Sequence, residues 1–353
     1  MTKALGGAKE KDTHSSLPMT VEVCIVDPVD PFGGIAGGVP SFIRSVCRLA
    51  PPEIRFRVEG VSADPRSRPA GQWCSGHIGS NEVAFLPLLG YEDLSRQQRI
   101  PVTLRFGLAL ARHREAISGD VLEFHRIEPV LNFLRDSRPK TAVMHLSPKA
   151  LAARGSSFRW RHVPGLYRWA EARILPKLDS ILLVHGDARA LYETRFPELA
   201  ARIQHLPTFV DATSFDLPTA EQRSRERARL AASLSLDTDA TWFLFVGRLE
   251  REKDPIAAVQ CLRRALDSGA RKPCLLIVGE GSMRGELETA VTAEGMQAHV
   301  RLVGFQAKEA VVTLMKACDA LLLTSFFESM PIAVLEAQAS GLPVLGYDLG
   351  GVR

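Results

Sequence analysis

Short apolar runs that alternate with amphipathic segments constrain the fold of this chain more than any other feature of its sequence. Runs of strand character lie at 21–28, 54–61, 120–125, 141–146, 180–185, 203–210, 241–246, 274–279, 300–305, 320–325 and 343–347. Helical patterns lie between them at 41–49, 102–117, 129–135, 167–178, 188–196, 255–268, 283–294, 307–318 and 331–340. Strands that alternate with helices form βαβ units, so the pattern predicts an α/β protein with parallel sheets.

A break in this alternation, together with the length of the chain, predicts two domains. The chain has 353 residues, more than the roughly 100–200 residues of one domain. We predict a disordered tail over 1–20, an N-terminal α/β domain over 21–211, a polar, charged connection over 212–240 and a second α/β domain over 241–353. The last predicted strand has no covering helix after it, so we expect the second domain to be C-terminally truncated.

Composition excludes several classes of protein. Hydrophobic residues make up 46% of the chain and charged residues 24%, unlike a disordered, collagen-like or membrane-spanning chain. The first 20 residues contain no apolar core of a signal peptide, so we expect a cytoplasmic protein. The six cysteines contain no C-x-x-C pair and are predicted to be buried thiols, and the nine histidines show no metal-ligand spacing.

Two Gly-Gly pairs lie between the first predicted strand and the helix that follows it, the second at Gly37 and Gly38. Ligands of open α/β sheets bind at the carboxyl ends of the strands. Glycines let the backbone approach a ligand closely, and a helix N-terminus attracts phosphate. A flexible tight turn is the alternative interpretation, but the paired glycines favour a phosphate site.

Two cations, Arg248 and Lys253, lie between a predicted strand and helix of the second domain. Fixed cations at that place suit a diphosphate leaving group. The same loop contains Glu250, Glu252 and Asp254. By composition alone, ordinary surface charge is therefore the better interpretation.

Two carboxylates, Glu328 and Glu336, follow the strand at 320–325 and are eight positions apart. That spacing is a little over two helical turns, so both side chains can share one face, where ionised carboxylates would accept hydrogen bonds from sugar hydroxyls. A paired, buried carboxylate is the alternative for Glu336. Burial without a partner in its apolar helix would be costly, which favours a functional role.

Histidines end two neighbouring strands of the first domain. His125 follows the run at 120–125 and His145 lies near the end of the next one. A single histidine is more often structural, but two strand ends at a cleft favour a role for His125. The glycine motif at 279–285 departs by one residue from the dinucleotide fingerprint, which indicates a tight turn. The Asp-Thr-Asp at 237–239 precedes a strand instead of ending one, so we reject it as a metal motif.

The order and spacing of these motifs resemble the retaining GT-B glycosyltransferases of the family-4 type, glycosyl transferases group 1. The resemblance covers roughly 20–353 and is strongest in Val246-Gly-Arg-Leu-Glu-Arg-Glu-Lys253, Ile277–Gly281, Val303–Phe305, Ser325–Ala337, Gly341–Val344 and Gly350-Gly351. It implies two Rossmann-like domains facing across a cleft. The nucleotide sugar would bind mainly to the second domain and the acceptor to the first, without a metal ion or another cofactor.

The resemblance also implies roles for individual residues. Arg248 and Lys253 would hold the diphosphate, Glu328 the donor hexose and Glu336 the ribose, while His125 would lie near the transferred sugar. Further donor contacts are implied for Gly37, Gly38, Gly247, Phe305, Gln306, Ser329, Met330 and Pro331. The implied mechanism retains the anomeric configuration, and the leaving phosphate helps to deprotonate the acceptor hydroxyl.

The predicted function is transfer of a sugar from a nucleoside diphosphate to a glycan, lipid-linked or phosphorylated acceptor. The stretch 137–170 contains seven basic residues and no acid, interleaved with aromatic residues. This mix predicts peripheral contact with an anionic membrane, although a solvated helix with core tryptophans remains an alternative. Rival functions are a truncated, inactive GT-B scaffold, a GT-B epimerase and a nicotinamide dehydrogenase. No motif indicates a nucleic acid partner.

Overall fold

The computed structural model describes residues 20–33, 37–91, 102–145, 164–270, 272–326, 328 and 331–348. These residues form two β-sheets of eight and five strands, with helices between the strands. The predicted α/β class is confirmed. The boundaries predicted for the tail, the domains and their connection stay a prediction, and most of the predicted tail lies outside the described residues.

The first sheet contains the strands of the N-terminal half of the chain. They are β1 (Val21–Val26), β2 (Ile54–Ser62), β3 (Cys74–Ile78), β4 (Asn81–Gly90), β5 (Val121–Phe124), β6 (Lys140–Met144), β7 (Ser180–Leu183) and β8 (Ile203–His205). Their order is β3-β4-β2-β1-β5-β6-β7-β8. All neighbours are parallel except β3 and β4. The carboxyl ends of β1, β5, β6 and β7 therefore meet at one edge of the sheet.

Helices cover both faces of this sheet. They are α1 (Gly38–Leu49), α2 (Val102–Arg112), α3 (Pro164–Ile174) and α4 (Gly186–Arg195). Ile25 of β1 packs with Ile43 of α1 in one apolar cluster, whereas its neighbour Val26 packs with Phe106 of α2 in another. Successive side chains of a strand point to opposite faces, so α1 covers one face and α2 to α4 the other.

The hairpin of β3 and β4 was not predicted, because the sequence pattern showed no strand between 61 and 120. β3 is a polar edge strand, and β4 contains Pro87, which cannot donate a backbone hydrogen bond. The pairing of β2 with β4 shifts register directly after Gly60 and Pro87, so the sheet accommodates the proline there. The signal that could have revealed the hairpin is Gly79-Ser80, the turn between the two strands, in which Gly79 has φ 66°.

Two other local predictions in this half differ in detail from the structure. The helical pattern predicted at 129–135 is a 3₁₀-helix over Glu128–Phe133, because a segment of six residues with a proline near its start is too short for a stable α-helix. The strand predicted at 203–210 ends at His205, shortly before Pro207, which lacks a backbone donor.

The prediction that the cysteines are buried thiols is wrong for Cys261, which is exposed, and Cys74 is only half-buried.

The second sheet follows the predicted pattern closely. Its strands are β9 (Thr241–Val246), β10 (Pro273–Val278), β11 (Val300–Gly304), β12 (Ala320–Leu323) and β13 (Val344–Gly346), in the order β11-β10-β9-β12-β13, all parallel. Its helices are α6 (Pro255–Asp267), α7 (Arg284–Ala293), α8 (Lys308–Ala317) and α9 (Ile332–Ala339). The carboxyl ends of these five strands form the edge that carries most of the predicted site.

Helix α5 (Ala220–Leu234) lies in the segment predicted as a connection. Thr219 and Gln222 form a capping box that begins it. Two of its arginines, Arg223 and Arg227, form ion pairs with Asp319, which directly precedes β12. The Arg227 guanidinium also lies 4.2 Å from the ring of Trp242 in β9. The helix thus packs on the second sheet, in addition to bridging the two sheets along the chain.

Candidate functional site

The loop after β9 holds Lys253 in a defined position. Lys253 ends a short 3₁₀-helix, Arg251–Lys253. The next residue, Asp254, has φ 43° and caps α6, because its carboxylate accepts a hydrogen bond of 3.1 Å from the Ala257 amide. Pro255 follows in the first helical position, where its missing amide is not needed. The position of Lys253 is therefore set by the start of a helix.

Lys253 and Glu328 are brought into contact although they are far apart in sequence. The Lys253 Nζ lies 2.5 Å from Glu328 Oε1, and the Ser325 hydroxyl donates to the same oxygen over 2.6 Å. The Glu328 side chain is 7% exposed and that of Lys253 24%. A buried carboxylate of this kind is held in one orientation by its donors. Its second oxygen, Oε2, makes no hydrogen bond to the part of the chain that the structure describes.

Further hydrogen bonds join the turn after β12 to the loop after β9. The Thr324 hydroxyl donates to the Asp254 carbonyl over 2.8 Å, and the Phe326 amide donates to the Glu252 carbonyl over 2.9 Å. These bonds hold the ends of two neighbouring strands in one rigid unit. The predicted contacts Ser329 and Met330 lie outside the described residues.

Arg248 lies in the same loop with a different partner. Its guanidinium is half-exposed and donates to Glu252 Oε1 over 2.7 Å. The other acidic residues of the loop are also engaged, since Glu250 accepts from Ser282 and Asp254 caps α6. The three acidic residues that supported the interpretation as ordinary surface charge therefore have structural roles. The two cations lie at the carboxyl ends of the strands.

Glycines of the neighbouring turn support the backbone around Arg248. The Gly247 amide donates to the Val278 carbonyl over 3.1 Å, and the Leu249 amide donates to the Glu280 carbonyl over 2.9 Å. A Cβ added at Gly279 would lie 1.8 Å from the Gly247 carbonyl oxygen. Gly279 is thus required by close backbone packing, which agrees with a tight turn at this motif.

Glu336 lies on the short helix α9. It is half-buried and makes no hydrogen bond or ion pair with the described part of the chain. Burial raises the pKa of Glu336, and the positive charge of Lys308 opposes that shift. The alternative of a paired, buried carboxylate therefore finds no partner among the residues that the structure describes. The carboxylate is free to accept hydrogen bonds from a ligand.

The remaining residues predicted in the second domain lie at the same edge. Phe305 follows β11 directly, and the residue is 59% exposed. Gln306 turns inward, where its side chain donates to the Val303 carbonyl over 3.2 Å. Pro331 is buried and precedes the first residue of α9. An exposed aromatic ring at a strand end offers a stacking surface for a flat ligand.

The glycine turn of the first sheet approaches the second sheet. Gly37 precedes α1 with φ 146°, and no side chain caps the helix. A Cβ built on Gly38 would lie 3.8 Å from Ile332 Cδ1, at the start of α9. The N-termini of α1 and α9 therefore converge, and their free amides and dipoles favour an anion between them.

His125 occupies a closed position in the first sheet. Its Nε2 lies 3.0 Å from Glu123 Oε1 and its Nδ1 lies 2.8 Å from His145 Nε2, so both ring nitrogens are engaged. Its side chain is completely buried. The contact with the transferred sugar that the resemblance implied stays a prediction for His125.

Two acidic residues after β1 were missed by sequence reasoning. Asp27 is fully buried and accepts a hydrogen bond of 3.3 Å from Arg126, the residue after His125. Asp30 accepts from the amides of Phe32 and Ala63. These bonds shape the loop that leads to the glycine turn. Their signal in the sequence is a pair of acids directly after an apolar strand.

Among the residues that the structure describes, no group of three or more histidine, cysteine, aspartate or glutamate side chains is arranged to hold a metal ion. None of the described helices has the length and apolar character needed to cross a membrane.

Comparison of this chain with known structures identifies its fold. A sucrose-phosphate synthase from Thermosynechococcus elongatus superposes with a TM-score of 0.74 at 18% identity, over 94% of this chain and 82% of that one. WaaG, a glycosyltransferase involved in lipopolysaccharide biosynthesis, superposes with a TM-score of 0.66 at 16% identity, over 94% of this chain and 82% of that one. The two sheets and their helices therefore have the GT-B fold.

Sequence comparison identifies the family. The family described as glycosyl transferases group 1 matches residues 226–353. The D-inositol 3-phosphate glycosyltransferase of Rhodococcus erythropolis is 32% identical over 96% of this chain and 78% of its own length. The 2-deoxystreptamine glucosyltransferase of Streptomyces kanamyceticus is 29% identical over 61% of this chain and 54% of its own length, so the match spans about half of that relative. The chain therefore belongs to the glycosyl transferases group 1 family.

Proposed function

We propose that this protein is a retaining glycosyltransferase that moves a sugar from a nucleoside diphosphate to a hydroxyl group of a phosphorylated, lipid-linked or glycan acceptor. The observation that carries the proposal is the contact of Lys253 with Glu328, built by hydrogen bonds between two strand-end loops. It places a cation for phosphate and a carboxylate for sugar hydroxyls side by side.

The second sheet supplies the donor site in this proposal. Lys253 has two further N–H groups for the diphosphate beyond the one directed at Glu328, and Arg248 is near enough in the loop to add a second cation. Glu328 accepts from a hexose hydroxyl with Oε2, and Glu336 accepts from the ribose. The exposed ring of Phe305 stacks on the base.

The reaction breaks the bond between the anomeric carbon and a phosphate oxygen of the donor. The acceptor oxygen forms its bond on the same face of the sugar, and its proton passes to the departing phosphate. Negative charge develops on that phosphate, so Lys253, Arg248 and the amides at the N-termini of α1 and α9 stabilise the transition state. The chain does not need a nucleophile of its own in this mechanism.

The acceptor classes are suggested by the relatives. One acts on D-inositol 3-phosphate and one on 2-deoxystreptamine, and a galactosyltransferase of Escherichia coli is named for an N-acetylglucosamine linked to diphosphoundecaprenol. A fold neighbour was crystallised with UDP-glucose. We therefore propose a UDP-sugar as the first donor to test, with a phosphorylated cyclitol and a lipid diphosphate as acceptors.

Peripheral contact with an anionic membrane is a second part of the proposal. On α3, Leu166 and Trp169 are exposed, and the Arg173 guanidinium lies 5.5 Å from the Trp169 ring. An exposed tryptophan beside arginine suits a membrane interface. Within the predicted stretch 137–170, Arg138 is paired with Asp136 and Lys140 is buried on backbone carbonyls, so these two cations are structural. Residues 146–163 lie outside the described part.

A donor-binding and transfer assay tests the proposed function. We expect one class among UDP-, GDP- and ADP-sugars to raise the melting temperature, and Lys253→Met to abolish that rise. NMR of the product formed from the stabilising donor should show the donor's anomeric configuration. Stabilisation without any transfer to either acceptor class would favour the inactive scaffold instead, and a product of inverted configuration would exclude a retaining enzyme.

A further inference from the structure

A buried acid and an exposed arginine meet where two neighbouring strands of the first sheet end. Asp27 directly follows β1, Arg126 is the second residue after β5, and these two strands are adjacent in the sheet. Asp27 Oδ2 accepts a hydrogen bond of 3.3 Å from Arg126 Nε. Asp27 is fully buried, whereas the Arg126 side chain is 42% exposed. We call these two residues the Asp27–Arg126 pair.

Asp27 engages the Arg126 guanidinium at its Nε nitrogen and leaves the other nitrogens unused. Neither terminal nitrogen, Nη1 or Nη2, donates a hydrogen bond to any residue that the structure describes. The N–H groups of a guanidinium form a planar fork of fixed geometry. Because the acid holds this fork at Nε and the side chain is exposed, the N–H groups of both terminal nitrogens are available to a ligand.

The Asp27–Arg126 pair is better suited to fixing a cation than to stabilising the fold. Asp27 Oδ1 is buried and accepts no hydrogen bond from the described residues, so Arg126 is the one side chain among them that donates to this carboxylate. A buried ion pair contributes little stability compared with apolar side chains of the same volume. Asp27 also raises the pKa of Arg126, although burial opposes the shift, so the guanidinium keeps its charge. The acid therefore supplies a cation of fixed position.

Arg126 lies on the side of the cleft that the first sheet forms. It follows His125, and its positive charge, after burial and His125, is a further cause of the lowered pKa of His145 at the end of β6. The Phe42 ring of α1 packs on the rings of both histidines, at 5.8 Å and 5.1 Å. Phe42 lies one helical turn after Gly38, the glycine that approaches the start of α9 in the second sheet. The cation is therefore close to the place where the two sheets face each other.

A fixed arginine at this place suits an anionic group of the acceptor. Ligands of open α/β sheets bind at the carboxyl ends of the strands, and a guanidinium fork matches the oxygens of a phosphate. In the proposed function the donor diphosphate has Lys253 and Arg248 on the second sheet, which leaves the first sheet for the acceptor. An acceptor that carries a phosphate group is therefore the ligand that Arg126 favours.

We propose that Arg126 binds the phosphate group of a phosphorylated acceptor through Nη1 and Nη2, and that Asp27 is a positioning residue that holds the guanidinium. This inference rests on the proposed function and narrows its three acceptor classes to those that carry phosphate. The phosphate belongs either to a soluble phosphorylated cyclitol or to a lipid diphosphate. An uncharged glycan would leave the terminal nitrogens of Arg126 without a partner, and the inference excludes it as the acceptor.

NMR of the protein labelled with ¹⁵N-arginine tests phosphate binding without any activity. The Arg126 Nε–H signal is assigned by its absence in Arg126→Lys. We expect this signal to shift saturably when D-inositol 3-phosphate or inorganic phosphate is added, and to stay unchanged with myo-inositol. Asp27→Leu, which removes the acceptor of the Nε–H group, should raise the Kd about tenfold, and Asp27→Asn, whose amide oxygen still accepts, should keep most of the affinity. No response to either phosphate probe would overturn the inference.

Kinetics with matched acceptors test the role of Arg126 in transfer. The wild type should prefer D-inositol 3-phosphate to myo-inositol, or a lipid diphosphate to the same lipid without phosphate, and the pair that shows the preference identifies the source of the phosphate. The double variant Asp27→Asn/Arg126→Met removes the cation without leaving an unpaired buried charge. We expect it to raise the KM of the phosphorylated acceptor roughly 30-fold with little change in kcat or donor KM, as loss of a hydrogen bond between charged groups predicts. Arg55→Met, exposed at the opposite end of β2, should match the wild type.

The outcomes separate this inference from the proposed function. Equal transfer to acceptors with and without phosphate, or an unchanged acceptor KM in the double variant, removes the inference and leaves the glycosyltransferase in place. A rise confined to the donor KM would assign Arg126 to the donor diphosphate and overturns the inference as well. If the double variant folds poorly, Arg126→Lys replaces it, because lysine keeps the charge without the planar fork. A wild type inactive with every donor and acceptor removes the proposed function, and the phosphate titration then still decides whether Arg126 binds phosphate.

Discussion

The ionised carboxylate of Glu336 lowers the stability of the folded protein, although the proposed donor contact needs that charge. Burial raises the pKa of Glu336, the positive charge of Lys308 offsets only part of that shift, and no described side chain forms an ion pair or hydrogen bond with the carboxylate. The folded protein therefore binds the proton more tightly than the unfolded chain. The stabilisation from this group is complete below the ordinary carboxyl pKa and is lost as the pH rises through the raised value.

Glu336→Gln should therefore raise the melting temperature of the ligand-free protein at pH 8 and leave it nearly unchanged at pH 4. The same change should weaken donor binding about tenfold at pH 8, because a hydrogen bond to a charged acceptor is replaced by a weaker one. Thermal melts and calorimetric titration with the stabilising nucleotide sugar measure the two effects. Unchanged donor affinity would remove Glu336 from the site.

Glu59 is a second buried carboxylate, in the interior of β2. Burial raises its pKa to about 7, although a hydrogen bond from the Cys24 thiol opposes the shift. Its Oε1 accepts no hydrogen bond from the described residues. Because the pKa is raised, wild-type stability should fall between about pH 5 and pH 8 by an amount on the order of 3 kcal/mol.

Glu59→Gln should remove most of that fall, so that the variant gains on the wild type as the pH rises. Chemical denaturation at pH 5, 6.5 and 8 provides the measurement. Glu82→Gln, an exposed carboxylate on β4, serves as the matched control and should follow the wild-type profile. A parallel profile for Glu59→Gln would show that this carboxylate is already ionised at pH 5.

At the scale of elements, the site depends on how neighbouring strand-end turns pack. Gly279 has φ 140°, and a Cβ there would lie 1.8 Å from the Gly247 carbonyl oxygen. No side-chain rearrangement can relieve a clash between backbone atoms. Substitution at Gly279 must therefore move the loop that carries Arg248 and Lys253.

Gly279→Ala should lower the free energy of unfolding by about 3 kcal/mol or more and weaken donor binding as well. Gly285→Ala is the matched control. Gly285 lies in the first turn of α7, and a Cβ added there would meet no atom within 4 Å. This variant should be neutral or stabilise by up to about 1 kcal/mol. Urea denaturation and donor titration compare the two, and equal behaviour would contradict the assigned backbone contact.

At the scale of the whole molecule, the membrane contact that we propose depends on the exposed side chains of α3. Trp169 lies beside Arg173. Trp73 has a similar neighbour, because the Arg57 guanidinium lies 5.1 Å from the Trp73 ring. The two tryptophans therefore offer a comparison of similar local chemistry on different surfaces. Only Trp169 lies in the basic stretch.

We expect the protein to co-sediment with vesicles that contain phosphatidylglycerol at low salt, and less so at high salt because screening weakens the attraction. Trp169→Ser should reduce the bound fraction several-fold, and Trp73→Ser should not. The measurement is the bound fraction as a function of lipid concentration. No binding at low salt would remove the membrane from the proposal.

The sequence by itself determined which segments form strands and helices in most of the chain. The second sheet was predicted strand by strand, with ends within two residues of those observed, because each element there carries its own apolar periodicity and turn residues. The same motifs also identified the family and the residues at the strand ends. The hairpin of β3 and β4 was missed because its polar edge strand and its Pro87 lack that local signature, and only pairing with β2 makes them strands.

Contacts between distant residues were decided only by the tertiary structure. Lys253 and Glu328 are 75 positions apart and are joined because β9 and β12 are neighbours in the sheet. Glu123, His125 and His145 form a chain of hydrogen bonds because β5 and β6 end side by side. Local periodicity reports which side chains are apolar and where a helix begins. It contains no information on which strand ends meet, and that depends on the packing of the whole chain.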